Sequence, residues 1–391
     1  MQETQPPARV TAHGLSTFLG ARTDETIARV FAGEQRFAAP SQAFPLPFEA
    51  VVGEMADPPA LTGPLARWDT RLTRMLLAAG GQIEGAVRAA AGRYGPRRVA
   101  LVHGTSTGGI DATERAYAAL RAGRAPGSPF RYADHHPLDR GAEALAQLLG
   151  LEGPRLTVST ACSSSGKALG SALRLLASGV ADAVVVAGAD TLCRTTLHGF
   201  GALGALSPRG TRPFARDPDG ITLSEGAGCV LLERDGPGLA GIAAVGESSD
   251  AYHGSAPEPE GQWAMAAMAD ALERAGLGPA DVDAVSAHGT GTPHNDRSEA
   301  RAIARLFGDR VPVCATKSVT GHLLGASAVT AVVLAVESIR RGLLPPTAGA
   351  DETDPALGVR VVRRPEAAAL RRVLVNSFAF GGHNASVLVV A

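Results

Sequence analysis

The chain has 391 residues, 45% hydrophobic and only 4% aromatic, with 47 glycines and 26 prolines, enough for a large core in two domains or one duplicated domain, with many tight turns. A net charge of −1 and a pI near 6.8 speak against a nucleic-acid binder. The four cysteines show no C-x-x-C spacing, so neither a zinc site nor a disulfide framework is expected, and no uncharged apolar run reaches the ~20 residues of a membrane span.

Met1 to His13 has no apolar signal-peptide segment, and a reducing, cytoplasmic setting is expected. Ala8 to His13 reads as an opening strand and Thr23 to Gly33 as a helix. A Pro-rich connection runs from Pro40 to Pro64. Leu65 to Arg93 is predicted as one long helix, with Leu72, Leu76, Leu77 and Ile83 inward and Arg67, Arg71 and Arg74 on another stripe. Arg98 to His103 is a strand ending in Gly104-Thr-Ser-Thr-Gly-Gly109. Ala112 to Ala122 is helical, Arg124 to His136 an irregular loop, and Asp139 to Gly150 a helix. Leu156 to Thr160 alternates apolar and hydroxyl side chains, as a strand does; from Ser163 onward Ala168, Leu169, Ala172, Leu173 and Leu176 recur at helical spacing. Ala183 to Gly188 is a buried strand, and Thr222 to Glu233 a Gly-rich turn followed by a strand.

The second part repeats this order. Asp283 to His288 ends in Gly289-Thr-Gly-Thr-Pro, and Val311 to Ala315 leads through Thr316-Lys-Ser-Val-Thr-Gly-His322 into a helix from Leu323 to about Arg341. Val373 to Asn376 and Gly381 to Val390 echo Gly226 to Leu232. The pattern predicts a duplicated α/β fold of two halves, 1–235 and 236–391, whose equivalent strand ends converge on one site.

Cys162 sits at a strand-to-helix turn. Unpaired N–H groups at a helix start favour a thiolate, so its pKa is expected below the free value of roughly 8.5. The alternative is a buried, inert cysteine. His288 and His322 stand at two further strand ends, and one Cys with two His fits thiol nucleophilic catalysis. A metal pair is disfavoured because no carboxylate or second Cys completes a ligand set. His13, His103, His135, His136, His198, His253 and His294 are taken as solvated or locally bonded; His383 adjoins the Gly381-Gly382 turn.

Thr160-Ala-Cys-Ser-Ser-Ser165, His288-Gly-Thr-Gly-Thr292, Lys317 with Gly321-His322, and Asn376-Ser-Phe-Ala-Phe-Gly-Gly382 together resemble the signatures of β-ketoacyl-acyl-carrier-protein synthases, from about residue 8 to the end. The resemblance implies the thiolase-like fold, two halves in five layers α-β-α-β-α, and a stand-alone type II enzyme, usually dimeric. It implies no resident cofactor, substrates being carried on the phosphopantetheine of an acyl carrier protein. Cys162 would take the acyl group; its own N–H and that of Phe380 would form the oxyanion hole, with Gly381 letting backbone come close. His288 and His322 would donate hydrogen bonds to the enolate oxygen of a malonyl unit losing CO2. Lys317 would set the local electrostatics. Glu299 would be a buried partner, its alternative an ordinary helix-surface carboxylate. Thr290 and Thr292 would bind the pantetheine arm, or merely shape a turn. Phe200 would wall the acyl pocket and Phe380 gate it.

Ile221, Ala379 and His383 depart from the family's usual Phe, Gly and Thr, which points to an altered acyl preference and a stiffer gating loop. Asp190 to Phe200 and Gly246 to His253 resemble the ketosynthases of aryl-polyene pathways; a housekeeping fatty-acid synthase is the alternative. The carrier would dock on Arg67, Arg71 and Arg74, or on Arg121 and Arg124; otherwise these form a solvated face. A non-catalytic chain-length factor would lack the Cys, so the chain is expected as a homodimer or as the active half of a heterodimer with such a subunit. A degradative thiolase would carry a second Cys near Phe380-Gly-Gly-His383, and a starter-unit synthase a Cys-His-Asn set.

Overall fold

The computed structural model describes residues 6–126 and 130–391. Its core is one eleven-stranded sheet made of two copies of the same design. In the first half β1 (Ala8–Thr17), β2 (Val99–Gly104), β3 (Arg155–Val158), β4 (Ala183–Asp190) and β5 (Gly226–Glu233) lie in the order β1-β5-β4-β2-β3. In the second, β6 (Ala240–Ser249), β7 (Ala284–Ser286), β8 (Pro312–Cys314), β12 (Arg372–Ala379) and β13 (His383–Val390) lie in the order β6-β13-β12-β7-β8. A ribbon of β9 (Leu343–Leu344) and β11 (Glu366–Ala367) stands apart, and β10 (Arg360–Val361) extends the β8 edge. The pairing repeats too: β1, β5 and β4 are antiparallel neighbours while β2 runs parallel to β4 and β3, as β7 does to β12 and β8. The halves join where Ala8–Val10 meet Ala240–Ile242.

Burial explains the layers. Every residue of β2 and β4 is buried, as in parallel strands covered on both faces. Helix Ser327–Arg341 is buried from Ser327 to Ser338, all the way round. Such a helix belongs inside rather than on a surface. It packs on β4 and β5 of one half and β12 and β13 of the other, while helix Ser164–Ala177 packs on β2, β4, β6 and β13. These two form the middle layer. Helix Arg71–Gly81 covers β1, β4 and β5 outside, and Gln262–Arg274 covers β6 and β13, completing α-β-α-β-α.

The predicted single helix 65–93 is three pieces: a 3-10 turn Gly63–Trp68 and helices Arg71–Gly81 and Glu84–Tyr94. Thr70 is extended (φ −126°, ψ 159°) and its side chain accepts the Thr73 N–H, so the chain restarts there. Gln82 interrupts the second junction, its amide donating to the Leu15 carbonyl at 2.7 Å. The expected loop 124–136 lies partly outside the described residues, and Tyr132–His135 is a helical turn.

Candidate active site

β3 ends at Val158, two residues short of the expected strand, and the chain then turns sharply. Ala161 has φ +51°, a conformation that costs an L-residue energy and is held by its neighbours. Ser164 Oγ donates to the Ala161 carbonyl at 2.6 Å, Ser377 Oγ donates to the Cys162 carbonyl at 2.8 Å, and the helix begins at Ser164. The backbone N–H groups of Phe380 and Cys162 both favour the thiolate. The thiol is 6% exposed, and burial pushes its pKa up to about 11; Lys317 and the two N–H groups oppose this without prevailing. The expected lowering is therefore corrected. The helix start lies two residues beyond the sulfur, and desolvation outweighs its partial charge.

His288 follows β7 and His322 follows the short helix Lys317–Thr320, after β8. Both rings line one cavity of about 270 Å³ with Cys162. The rings lie 5.4 Å apart and nearly perpendicular, at 84°. Lys317 Nζ donates to His288 Nδ1 at 3.1 Å and to the His288 carbonyl at 2.6 Å. The Leu324 N–H and the Ser327 hydroxyl, each at 2.9 Å, donate to His322 Nδ1. An Nδ1 that accepts carries no proton, so each neutral ring holds its hydrogen on Nε2. His322 Nε2 is buried with no partner. Burial, then Lys317, holds both histidines well below their ordinary pKa, so they stay neutral. Burial also lowers Lys317 to about 8.

Glu299, 1% exposed, is no surface carboxylate: it accepts the N–H groups of His288 (2.7 Å) and Gly289 (2.8 Å) and the Asn376 amide (3.1 Å). Thr290 and Thr292 line the cavity and share a hydrogen bond at 2.8 Å. Phe200, Ile221 and Phe380 line it too, the two phenyl rings stacked 5.2 Å apart. Gly381 is exposed, and its N–H is bonded to the Gly254 carbonyl at 2.9 Å; it turns the chain at φ +79° without lining the cavity. Ala379 is extended (φ −130°, ψ 153°) and accepts a side chain without strain.

The arginine stripe does not survive folding. Arg71, its side chain 9% exposed, is tied to buried Glu225 and to Asp57, and Arg74 to Asp69 and Asp57. Neither is free to meet a carrier. Arg67 is half exposed and pairs with Asp134 at 2.9 Å. Arg121 and Arg124 are exposed; Arg124 lines a separate hollow with Glu114, Arg115 and Arg194. His103, expected to be solvated or bonded, is fully buried with neither ring nitrogen partnered.

Sequence reasoning passed over Ser327 and Ser377, which hold His322 and the Cys162 turn. A serine opening an otherwise apolar helix five residues after His322 is the one signal it offered. Among the described residues no cluster of His, Cys, Asp and Glu is placed to hold a metal ion, and no helix is long and apolar enough to cross a membrane.

A cysteine on a strained turn, facing two imidazoles of fixed tautomer within a thiolase-like fold, defines a thiol acyltransferase. The family model "Beta-ketoacyl synthase, N-terminal domain" matches residues 66–237, and "Beta-ketoacyl synthase, C-terminal domain" matches 239–351. Nodulation protein E of Rhizobium meliloti is 37% identical over 294 residues, 72% of this chain and 73% of that protein. The 3-oxoacyl-[acyl-carrier-protein] synthase 2 of Vibrio cholerae is 35% identical over 314 residues, 74% of this chain and 75% of that one. A solved structure described as the ketosynthase ApeO in complex with its chain length factor ApeC, from Xenorhabdus doucetiae, superposes with a TM-score of 0.92 at 36% identity, covering 100% of this chain and 99% of the other. The ishigamide ketosynthase/chain length factor superposes at 0.90 with 29% identity, over 99% of each chain. The chain belongs to the β-ketoacyl synthase family.

Proposed function

We infer that the protein elongates an acyl chain by two carbons through decarboxylative condensation, with Cys162, His288 and His322 as its catalytic residues. The carrying observation is the pair of fixed tautomers, which leaves His322 Nε2–H buried and unpartnered in the cavity of the sulfur. Cys162 sulfur attacks the acyl thioester; the carrier's thiol leaves with the proton the cysteine gives up. The N–H groups of Cys162 and Phe380 hold the oxyanion. A malonyl thioester then binds, and Nε2–H of both histidines stabilises the enolate that forms as its C–C bond breaks and CO2 departs. The enolate carbon attacks the acyl-cysteine, the thiolate leaves, and a β-ketoacyl thioester results. Thr290 and Thr292 would hold the pantetheine arm, and Phe200 and Ile221 the acyl chain. The arm brings the substrate, so no resident cofactor is called on.

The full-length match to the ApeO–ApeC structure supports an acyl chain of the aryl-polyene kind. It also supports a second subunit, identical or chain-length-factor-like. β3 closes the sheet with its outer edge open among the described residues and Leu156 43% exposed, an edge suited to pairing with another chain. The acyl carrier protein is the second partner. The four free cysteines fit a reducing cytoplasm.

The test is intact-protein mass spectrometry after incubation with aryl- and alkyl-loaded carriers, with Cys162→Ala as control. An aryl adduct on Cys162 is expected. Preference for saturated alkyl chains would return the protein to fatty-acid elongation, and an adduct surviving Cys162→Ala would overturn the nucleophile.

A further inference from the structure

Asp190 is the last residue of β4 and is fully buried, yet it does not line the cavity. Its carboxylate accepts from both sides of the molecule. From the loop after β2 come Thr105 Oγ1 (2.7 Å), Thr107 Oγ1 (2.8 Å), the Thr107 N–H (2.9 Å) and the Ser106 N–H (2.8 Å). From the second half comes the Gly325 N–H, at 2.6 Å. Both ends lead to the reacting groups. The β2 loop lies under the Cys162 helix: the Thr105 carbonyl stands 3.4 Å from Ser164 Oγ, and a Cβ on Gly104 would stand 2.5 Å from the Ser165 nitrogen. Gly325 follows Leu324, held at φ +49°, and of the two groups on His322 Nδ1 the Leu324 N–H can only donate, whereas the Ser327 hydroxyl can donate or accept. A left-handed leucine is strained, and something must hold it there. The bond from Gly325 to Asp190 is the tether next to it, and a Cβ on Gly325 would come within 2.7 Å of Asp190 Oδ2.

We propose that Asp190 is a positioning residue which, by clamping Gly325 against the β2 loop, keeps the Leu324 N–H on His322 Nδ1 and so holds the His322 Nε2–H toward the enolate. This rests on the donor role given to His322 above. The carboxylate touches no substrate; it acts through the strained turn. Freed of it, Leu324 relaxes, the tautomer is no longer fixed, and malonyl decarboxylation suffers while acyl transfer to Cys162, served by backbone N–H groups, continues.

The experiment separates the two half-reactions in Asp190→Asn. CO2 release from a malonyl thioester measures decarboxylation, and mass spectrometry of Cys162 with a short acyl thioester measures acyl transfer. Decarboxylation is expected to fall about tenfold or more, while acyl transfer falls by no more than about twofold, since losing the Asp190 charge eases ionisation of Cys162. In a His322→Ala background Asp190→Asn should cost nothing further. Gly325→Ala crowds Asp190 and the β2 loop from the other side, its Cβ also falling 2.8 Å from the Ser106 nitrogen, and should slow decarboxylation as well. Equal losses in both half-reactions, additive losses with His322→Ala, or unfolding of both variants would make Asp190 merely structural and overturn the proposal. If His322→Ala alone leaves decarboxylation intact, the donor role of His322 fails instead.

Discussion

Lys317 reaches His288 twice, at the ring and at the carbonyl, and is 5% exposed. Burial lowers it to about 8, so near neutral pH it keeps an ammonium that donates to Nδ1, and as pH rises through about 8 that ammonium is lost. Malonyl decarboxylation should therefore decline with a midpoint near pH 8, and Lys317→Met should be slower yet lack that limb. A pH–rate profile of CO2 release on both proteins checks this; an unchanged limb in the variant would exclude Lys317. Cys162 shows what a motif leaves open. Its place at a strand-to-helix turn was legible from the alternation before it and the helical spacing after it. Its pKa was not, because desolvation depends on what the distant second half lays over the sulfur, and that is settled only by folding.

Among the elements, the wall made by Ile221 answers most directly to mutation. It is 3% exposed, lines the cavity, and packs with Leu206, Leu197 and Phe200. Ile221→Phe adds volume in the cavity proposed above to hold the acyl chain and should shift products to shorter chains, at a cost of about 1–3 kcal/mol in stability. Chromatography of products from a ladder of acyl carriers reads the shift; an unchanged length distribution would remove Ile221 from the pocket. The elements most clearly announced were the buried ones. Continuous apolar runs marked β2 and β4, and the small-residue run after His322 marked the inner helix. The segment 65–93 misled because its apolar spacing stays helical across Thr70 and Gln82, where one side chain at each point redirects the chain. Arg71 shared a face with Arg67 and Arg74 by spacing alone. Its partner Glu225 lies 154 residues away, and no local pattern announces such a pair.

For the whole molecule, the duplication was readable because both copies keep their strand-end motifs, while the layers rest on contacts between helices far apart in sequence. One property belongs to the assembled fold. Burial holds His103 down at about 4, and His288 and His322 well below 6.5. Their folded pKa values lie under the unfolded one, so as pH falls below about 6.5 the unfolded chain takes up protons that the folded one refuses. Stability is full above that point and drains toward pH 4, by about 2 kcal/mol between pH 7 and 5 from His103 alone. Urea unfolding across that range should show the loss, and His103→Leu should make it shallower; an equal slope would place the titration elsewhere.

Phe380, whose N–H favours the thiolate, sits between β12 and β13, and β13 lies in the interior of the sheet between β12 and β6. Until β12 and β13 have been made and paired, then, the sulfur of Cys162 has its own residue's N–H but no second donor beside it. The second donor is thus in place only once β13 has zipped between β12 and β6, and cutting the chain back before residue 380 should silence the enzyme.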